Sequence, residues 1–322
     1  MGHTLLVLAE PTEPQLAMLE ALPEGTDLVV GKRPEAFLRA AGEAGVILNW
    51  SGGGADLLRE VLVMAPRVRW VHSRSAGVDH LLFPELVENP AILTNGSGVF
   101  SPPLAEFAIG AALFFAKDFR RMVRSQQEGV WAPFHTAEIA GRTMGVVGYG
   151  DVGRAVAGRA RAMGMRVLAL RRRPELCSGD PLVDEALPPA RLRELLARSD
   201  YVTVAAPLTA ETRGWIGEAE IACMPSSAVL INVGRGPVVR EDALVDALEA
   251  RRIRGAALDV FDREPLPGGH PFYRLDNVLL SPHCADHTPD WMERAMRCFL
   301  DNFARFDRGE PLRNVVDKRR GY

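Results

Sequence analysis

Lysine is almost missing from this 322-residue chain. It occurs at Lys32, Lys117 and Lys318, none of them inside a motif, so Schiff-base chemistry has no candidate nucleophile. Cysteine is sparse too: Cys177, Cys223, Cys284 and Cys298 are scattered without a Cys-x-x-Cys pair. That spacing argues against a disulfide scaffold and against a metal site, and reads as reduced thiols in a cytoplasmic protein. Long apolar runs are lacking, since the longest uncharged one, Phe107 to Ala116, is too short to span a membrane and reads as a buried helix. The opening MGHTLLVLAEPTEP has no basic region and only a strand's length of apolar residues, so a secretory signal is not expected. A strong charge of either sign is missing as well. The net charge of -3 and pI near 6.2 offer no field for nucleic acid. Solenoid repeats and low-complexity tracts are absent.

What is present is ordinary globular composition, 47% hydrophobic and 25% charged, at a length suited to two domains. The chain is organised around Thr143 to Gly153, TMGVVGYGDVG. Met144 to Val147 reads as a buried strand, and Gly148 as the tight turn out of it. Gly150 lets backbone approach a pyrophosphate, and Gly153 lets the next helix lie close to the sheet. That helix is expected over 152–163, and its start at Val152, with Asp151 just before it, offers free N–H groups and a positive dipole end to phosphate. A second strand follows at Arg166 to Leu170. Where an acidic residue would hold a ribose 2'-hydroxyl stand Arg171, Arg172 and Arg173, which suit a 2'-phosphate. The cofactor expected is therefore NADP(H), with NAD(H) possible; the plainer reading is three arginines solvating a strand end.

Strands are expected at 5–9, 28–30, 46–49, 68–72 and 91–94, with helices at 13–22, 34–41 and 55–65 between them. This βαβ succession winds into a parallel sheet covered on both faces. Two loops follow its strands. Ser73 to His80, SRSAGVDH, could cradle a carboxylate with backbone N–H groups, or could be a turn in which Asp79 caps a helix from His80. His72 and His80 read as structural or solvated. Asn95 to Pro103 reads as a hinge before an apolar helix from about Leu104, with Glu106 suiting its first turn. The helix continues as a charged stretch over 117–127. Trp131 and Phe134 then lie in a loop, as a subunit contact or a surface flap. Further strands are expected at 201–205, 229–233, 256–260 and 278–281, with helices near 189–198, 218–223, 241–250 and 291–308. The fold class is α/β with two doubly wound sheets: a Rossmann nucleotide domain over 98–286, inserted into a flavodoxin-like substrate domain of 1–97 and 287–322.

Three strand ends carry Arg235, Glu264 and His283. Arg235 can hold a carboxylate and polarise a carbonyl oxygen. Glu264 beside His283 would fix the imidazole tautomer and favour its protonated form, ready to give a proton as hydride arrives from nicotinamide. Singly, each reads as a salt bridge or capped loop; only the set beside a cofactor motif suggests catalysis.

The pieces SAGVDH, GVVGYGDVGR, PLTAETRG, LINVGRGPVV, GAALDVFDREPLP, NVLLSPHCADHT and NVVDKRRGY resemble, in order and over nearly the whole chain, the D-isomer-specific 2-hydroxyacid dehydrogenase family. The resemblance implies that Arg235, Glu264 and His283 are the catalytic residues and that Asp259 contacts the nicotinamide carboxamide. It implies that Ala206, Pro207, Thr212, Val233 and Ala285 touch cofactor, and that Ala76 and Gly77 give backbone donors to the substrate carboxylate. Arg171 resembles NADPH-dependent glyoxylate/hydroxypyruvate reductases, whereas Glu264 departs from formate dehydrogenase, which carries an amide there. The long regulatory extension of some phosphoglycerate dehydrogenases is not expected. Trp131 resembles a tryptophan that reaches the neighbouring subunit's pocket in related reductases, which implies a homodimer. The reading is reduction of a small 2-keto acid to a D-2-hydroxy acid. Its alternatives are a nucleotide-sensing binding protein similar to the C-terminal-binding-protein corepressors, and phosphite oxidation.

Overall fold

The computed structural model describes residues 2–50 and 54–322. The chain divides into two compact units, Met1–Phe100 with Thr288–Tyr322, and Ser101–His287. In the first, β1 (Thr4–Leu8), β2 (Asp27–Gly31), β3 (Val46–Asn49), β4 (Trp70–Ser73) and β5 (Ile92–Thr94) pair all-parallel in the order β2-β1-β3-β4-β5. This is the flavodoxin-like order. Strands β3 and β4 are buried at every residue, the pattern of a parallel sheet covered on both faces. Between strands lie α1 (Ala55–Met64) and α2 (Pro84–Glu88). The segments expected as helices near 13–22 and 34–41 are 3-10 turns, Pro14–Ala21 and Pro34–Phe37. In the first of these Leu19 alone is buried, so no apolar stripe supports a regular α-helix. Asp79 does not cap a helix: the 3-10 turn Asp79–Leu81 begins at Asp79 itself, with Val78 in the cap position.

The second unit opens with α3 (Ser101–Lys117) and α4 (Phe119–Glu128). Helix α3 starts three residues before the expected Leu104, because Pro102 and Pro103 sit in its first turn, where a missing N–H leaves no hydrogen bond unmade. Glu106 therefore lies beyond that turn and pairs with Arg159 at 3.2 Å. The helix does not run on through the charged stretch. Asp118, at φ 52°, breaks it and caps α4 by accepting from the Arg121 N–H.

Then follow β6 (Thr143–Val147), α5 (Asp151–Ala162), β7 (Arg166–Leu170), β8 (Glu185–Leu187), α6 (Leu192–Ala197) and β9 (Tyr201–Val204). The unit continues with α7 (Glu218–Ile221), β10 (Val229–Asn232), α8 (Glu241–Glu249), β11 (Gly255–Leu258) and β12 (Val278–Leu280). Its seven strands are parallel in the order β12-β11-β10-β9-β6-β7-β8. Strand order reverses beside β6, which is where a Rossmann sheet takes its ligand. The core joins Val147, Leu168, Val202, Leu230 and Leu258 from the strands to Leu195, Leu244 and Leu248 from the helices.

Helix α9 (Trp291–Asp307) belongs to the first unit, where Phe299 stacks on Trp70 with ring centroids 5.2 Å apart. Among the described residues no helix is long and apolar enough to cross a membrane.

Candidate active site

The glycine turn closes β6 onto its neighbour β9. Gly148 has φ 97°, and a Cβ there would lie 2.6 Å from the Ala206 nitrogen, so both conformation and space demand glycine. Gly150 has open space on its Cα, while a Cβ at Gly153 would strike the Gly148 oxygen at 2.2 Å. Gly150 is the N-cap of α5 and has no side chain to satisfy the helix's first N–H groups, at Asp151, Val152 and Gly153. An open approach, an uncapped helix N-terminus and buried walls suit a pyrophosphate. Asp151 turns its carboxylate away from that role, accepting a hydrogen bond from Ser101.

The three arginines after β7 are not equivalent. Arg171 is half-buried, with Nη1 3.9 Å from Cys177 Sγ. Arg172 reaches Glu211 at 3.0 Å, and Arg173 is exposed. On the loop after β9, Ala206 is buried against Gly148 and Pro207 is half-buried. The Thr212 hydroxyl is committed to the loop itself, accepting from the Thr209 N–H at 2.8 Å and donating to the Pro207 carbonyl at 2.6 Å. Val233 is buried, its N–H on the Val204 carbonyl.

The loops after β10, β11 and β12 bring the remaining polar groups together. Asn232, at the end of β10, folds its own loop: its Oδ1 accepts from the Gly234 N–H and its Nδ2 donates to the Arg235 carbonyl, both at 3.1 Å. Arg235 is thereby held extended, with Nη1 donating to the Gly234 carbonyl. The next residue, Gly236, touches the β11 loop backbone to backbone, since a Cβ there would lie 2.0 Å from the Phe261 carbonyl carbon.

Glu264 accepts the Phe261 N–H on Oε1 at 2.9 Å, and its Oε2 lies 2.6 Å from His283 Nδ1. His283 sits at φ 51°, an unusual conformation for a non-glycine residue. Asp259 explains how it is kept there. Its buried Oδ1 accepts three hydrogen bonds, from Ser281 Oγ at 2.5 Å and from the N–H groups of Cys284 and Ala285 at 3.0 Å each. The chain on both sides of His283 is thus tied to one carboxylate oxygen.

The electrostatics follow from this packing. The hydrogen bond to Glu264 raises His283 above the ordinary imidazole value of 6.5; burial and the charge of Arg235 oppose it, while the Glu264 and Asp259 charges assist. For Glu264, burial works upward, yet the hydrogen bonds from His283 and the Phe261 N–H, with the charges of His283 and Arg235, hold it below its ordinary value. Nδ1 faces a carboxylate and the side chain is 44% exposed, so Nε2 is the ring nitrogen on which a second proton would sit.

Ala76 and Gly77 lie in the first unit, on the loop after β4. There the Ala76 carbonyl accepts from Asn95 Nδ2 at 2.5 Å and the Gly96 N–H binds the Ser75 carbonyl. His72 is structural. It is fully buried with Nδ1 2.7 Å from Thr94 Oγ1, and burial lowers its pKa to about 3. Trp131 is 96% exposed, and Phe134 lies under the Arg121 guanidinium at 4.3 Å. Among the described residues no group of three or more His, Cys, Asp or Glu side chains could hold a metal ion.

Sequence reasoning missed the anchoring roles of Ser281, Asn232 and Gly236. Asn232 carried a local signal, an Asn two residues before Gly in a turn. Gly236 carried none, because its neighbour Phe261 is distant in sequence.

A parallel sheet with a glycine turn at its switch point, and an Arg–Glu–His set on the neighbouring loops, defines a nicotinamide-dependent oxidoreductase as a class. Residues 109–285 match the family model described as D-isomer specific 2-hydroxyacid dehydrogenase, NAD binding domain. Over 268 residues the chain is 36% identical to a glyoxylate reductase of Korarchaeum cryptofilum, covering 80% of this chain and 79% of that protein. It is 31% identical to a D-3-phosphoglycerate dehydrogenase of Methanocaldococcus jannaschii, covering 97% of this chain and 59% of the relative. A D-isomer specific 2-hydroxyacid dehydrogenase from Xanthobacter autotrophicus, in complex with NADPH and MES, superposes with TM-score 0.82 at 31% identity, covering 100% of both chains. An NADPH-dependent glyoxylate/hydroxypyruvate reductase from Sinorhizobium meliloti, in complex with NADP and sulfate, superposes with TM-score 0.84 at 28% identity, covering 99% of this chain and 100% of that one. The chain belongs to the D-isomer-specific 2-hydroxyacid dehydrogenase family, and its activity is that of an NAD(P)-dependent D-2-hydroxyacid dehydrogenase.

Proposed function

We propose that this enzyme uses NADPH to reduce a small 2-keto acid of the glyoxylate or hydroxypyruvate kind to the D-2-hydroxy acid, with His283 as the acid. The observation that carries the reading is the 2.6 Å contact between His283 Nδ1 and Glu264 Oε2, within the charge field of Arg235. Glu264 keeps the imidazole protonated and orients it, leaving the Nε2 proton for the substrate carbonyl oxygen. Arg235 stabilises the negative charge that grows on that oxygen and pairs with the substrate carboxylate. The bound dinucleotide supplies the hydride. In the reverse direction neutral His283 takes the hydroxyl proton. For the loop after β4, pinned by Asn95, the proposal is that the Ala76 and Gly77 backbone can bind a carboxylate.

His283→Ala is expected to lower turnover by about 10²–10⁴-fold while dinucleotide affinity stays unchanged. Wild-type turnover in that variant would overturn the assignment. The NADP preference rests on Arg171, Arg172 and Arg173 at the end of β7, and is supported by NADPH and NADP in the two related structures. Arg171→Asp should move the NADPH/NADH selectivity toward NADH. A homodimer is proposed from the fully accessible Trp131 and from α4, on which Phe119, Met122 and Val123 are exposed; light scattering on wild type and Trp131→Ala tests it. Four unpaired cysteines are in keeping with a cytoplasmic enzyme.

A further inference from the structure

In the second sheet β7 and β9 are the two neighbours of β6, so their loops stand on either side of the glycine turn. An ion pair joins those loops: Arg172 Nη2 to Glu211 Oε2 at 3.0 Å, spanning the end of β6. We infer that Glu211 is a specificity-determining residue for the dinucleotide, because it competes with the 2'-phosphate for Arg172 and so narrows the advantage of NADP(H) over NAD(H). The inference rests on the reading above, that the arginines after β7 receive the 2'-phosphate.

Both ends of the pair stand on firm ground. Glu211 is carried by a turn closed on itself by Thr209 and Thr212, with the Arg213 N–H on the Thr209 carbonyl at 3.0 Å. The loop of Arg172 is anchored at its start by the Arg171 N–H on the Leu187 carbonyl, at 3.0 Å. Further along, Asp180 accepts from the Tyr149 hydroxyl at 3.0 Å and from Arg154 Nε at 3.2 Å, which ties this loop to the glycine turn itself. Two fixed loops thus hold a carboxylate and a guanidinium within reach, rather than two wandering side chains meeting by chance.

Three carboxylates further along the same stretch are engaged elsewhere: Asp180 by Arg154, Asp184 by Arg161, and Glu185 by Arg191 and Arg198. Glu211 instead faces the arginine run. Its side chain is 77% exposed and that of Arg172 43%, so the pair is screened by water and exchangeable. A nucleotide bearing only the 2'-hydroxyl leaves the pair intact. A 2'-phosphate, with more charge and more acceptor oxygens than a carboxylate, must displace Glu211 to gain both donors of the Arg172 fork.

The test is direct binding of two fragments, 2',5'-ADP and 5'-AMP, to the full-length protein by calorimetry. Glu211→Gln should tighten 2',5'-ADP by about 2–5-fold, the range of an exposed ion pair, and leave 5'-AMP unchanged. The gain should disappear in the Arg172→Gln background, because the two residues act as one unit. No change in either fragment, equal tightening of both, or a gain that survives Arg172→Gln would each overturn the inference. Arg171→Asp and Arg172→Gln, measured alone, separate the two claims. If they lower the 2',5'-ADP to 5'-AMP affinity ratio while Glu211→Gln does nothing, the role of Glu211 falls and the NADP reading stands. If they leave that ratio unchanged, both fall.

Discussion

Adding one methyl group at Gly236 should part the loops that carry Arg235 and Glu264 without touching either side chain. A Cβ at this position would lie 2.0 Å from the Phe261 carbonyl carbon, 2.1 Å from its oxygen and 2.6 Å from the Asp262 nitrogen. All three are backbone atoms, so no rotamer change relieves the overlap, and reaching ordinary contact distance requires the two loops to part by about 1 Å or more. Gly236 directly follows Arg235, and the Phe261 N–H is the group that holds Glu264 Oε1. The displacement therefore falls on the spacing between the guanidinium and the Glu264–His283 pair.

A misplacement of about 1 Å at a reacting centre costs roughly 10²-fold in rate. Gly236→Ala is accordingly expected to lower kcat for 2-keto acid reduction by about two orders of magnitude. Overpacking should also destabilise the unit by about 1–3 kcal/mol, a fall of several degrees in Tm. NADPH affinity should change far less than kcat, because the glycine turn lies at the end of another strand, β6, and of the expected cofactor contacts only Val233 and Asp259 open the parted loops. Steady-state kinetics, fluorescence titration with NADPH and a thermal melt together decide the matter. Wild-type kcat and an unshifted melt would mean that the contact between these loops does not set the catalytic spacing.

The pH profile gives a second check. On the proposed mechanism reduction requires protonated His283, and the hydrogen bond to Glu264 raises its pKa above 6.5, so turnover should fall only as pH rises through that raised value. Glu264→Gln should move the fall to lower pH; an unmoved inflection would show that Glu264 does not set the protonation of His283. A third prediction concerns stability in acid. His72 titrates at about 3 in the fold and near 6.5 when unfolded, so between those values the unfolded chain binds more protons, and stability drops as pH drops. The loss is about 2 kcal/mol by roughly pH 5 and approaches about 5 kcal/mol near the folded value. Fluorescence of Trp70, whose ring centroid is 6.0 Å from that of His72, can follow acid unfolding, and His72→Phe should flatten the dependence if the argument is right.

Much of this architecture was legible locally. The run from Met144 through Gly153 announced a strand, a turn with positive φ and a helix start, because hydrophobic periodicity and glycine sterics act between near neighbours. The loops after β10, β11 and β12 singled out Arg235, Glu264 and His283 because polar residues following an apolar run mark the sheet's carboxyl edge, although Glu264 stands six residues beyond β11. Local reading failed where the deciding contact is distant or the signal is brief. Strand β8 is three residues long, two of them only half-buried, and presents no apolar run to find. The start of α3 depended on whether Pro102 and Pro103 ended a loop or began a helix, which their own sequence leaves open.

The division is physical. Strand and turn identity follow from forces between residues a few positions apart, so the sequence by itself determined two doubly wound sheets, a nucleotide turn and the residue types at the strand ends. The tertiary structure alone decided how those ends are held. Asp259 gathers Ser281, Cys284 and Ala285 onto one oxygen, Gly236 lies against Phe261, and Glu211 reaches Arg172, each across more than twenty residues of chain. Contacts of that range exist only after the strands have paired in their final order, and no local pattern encodes them.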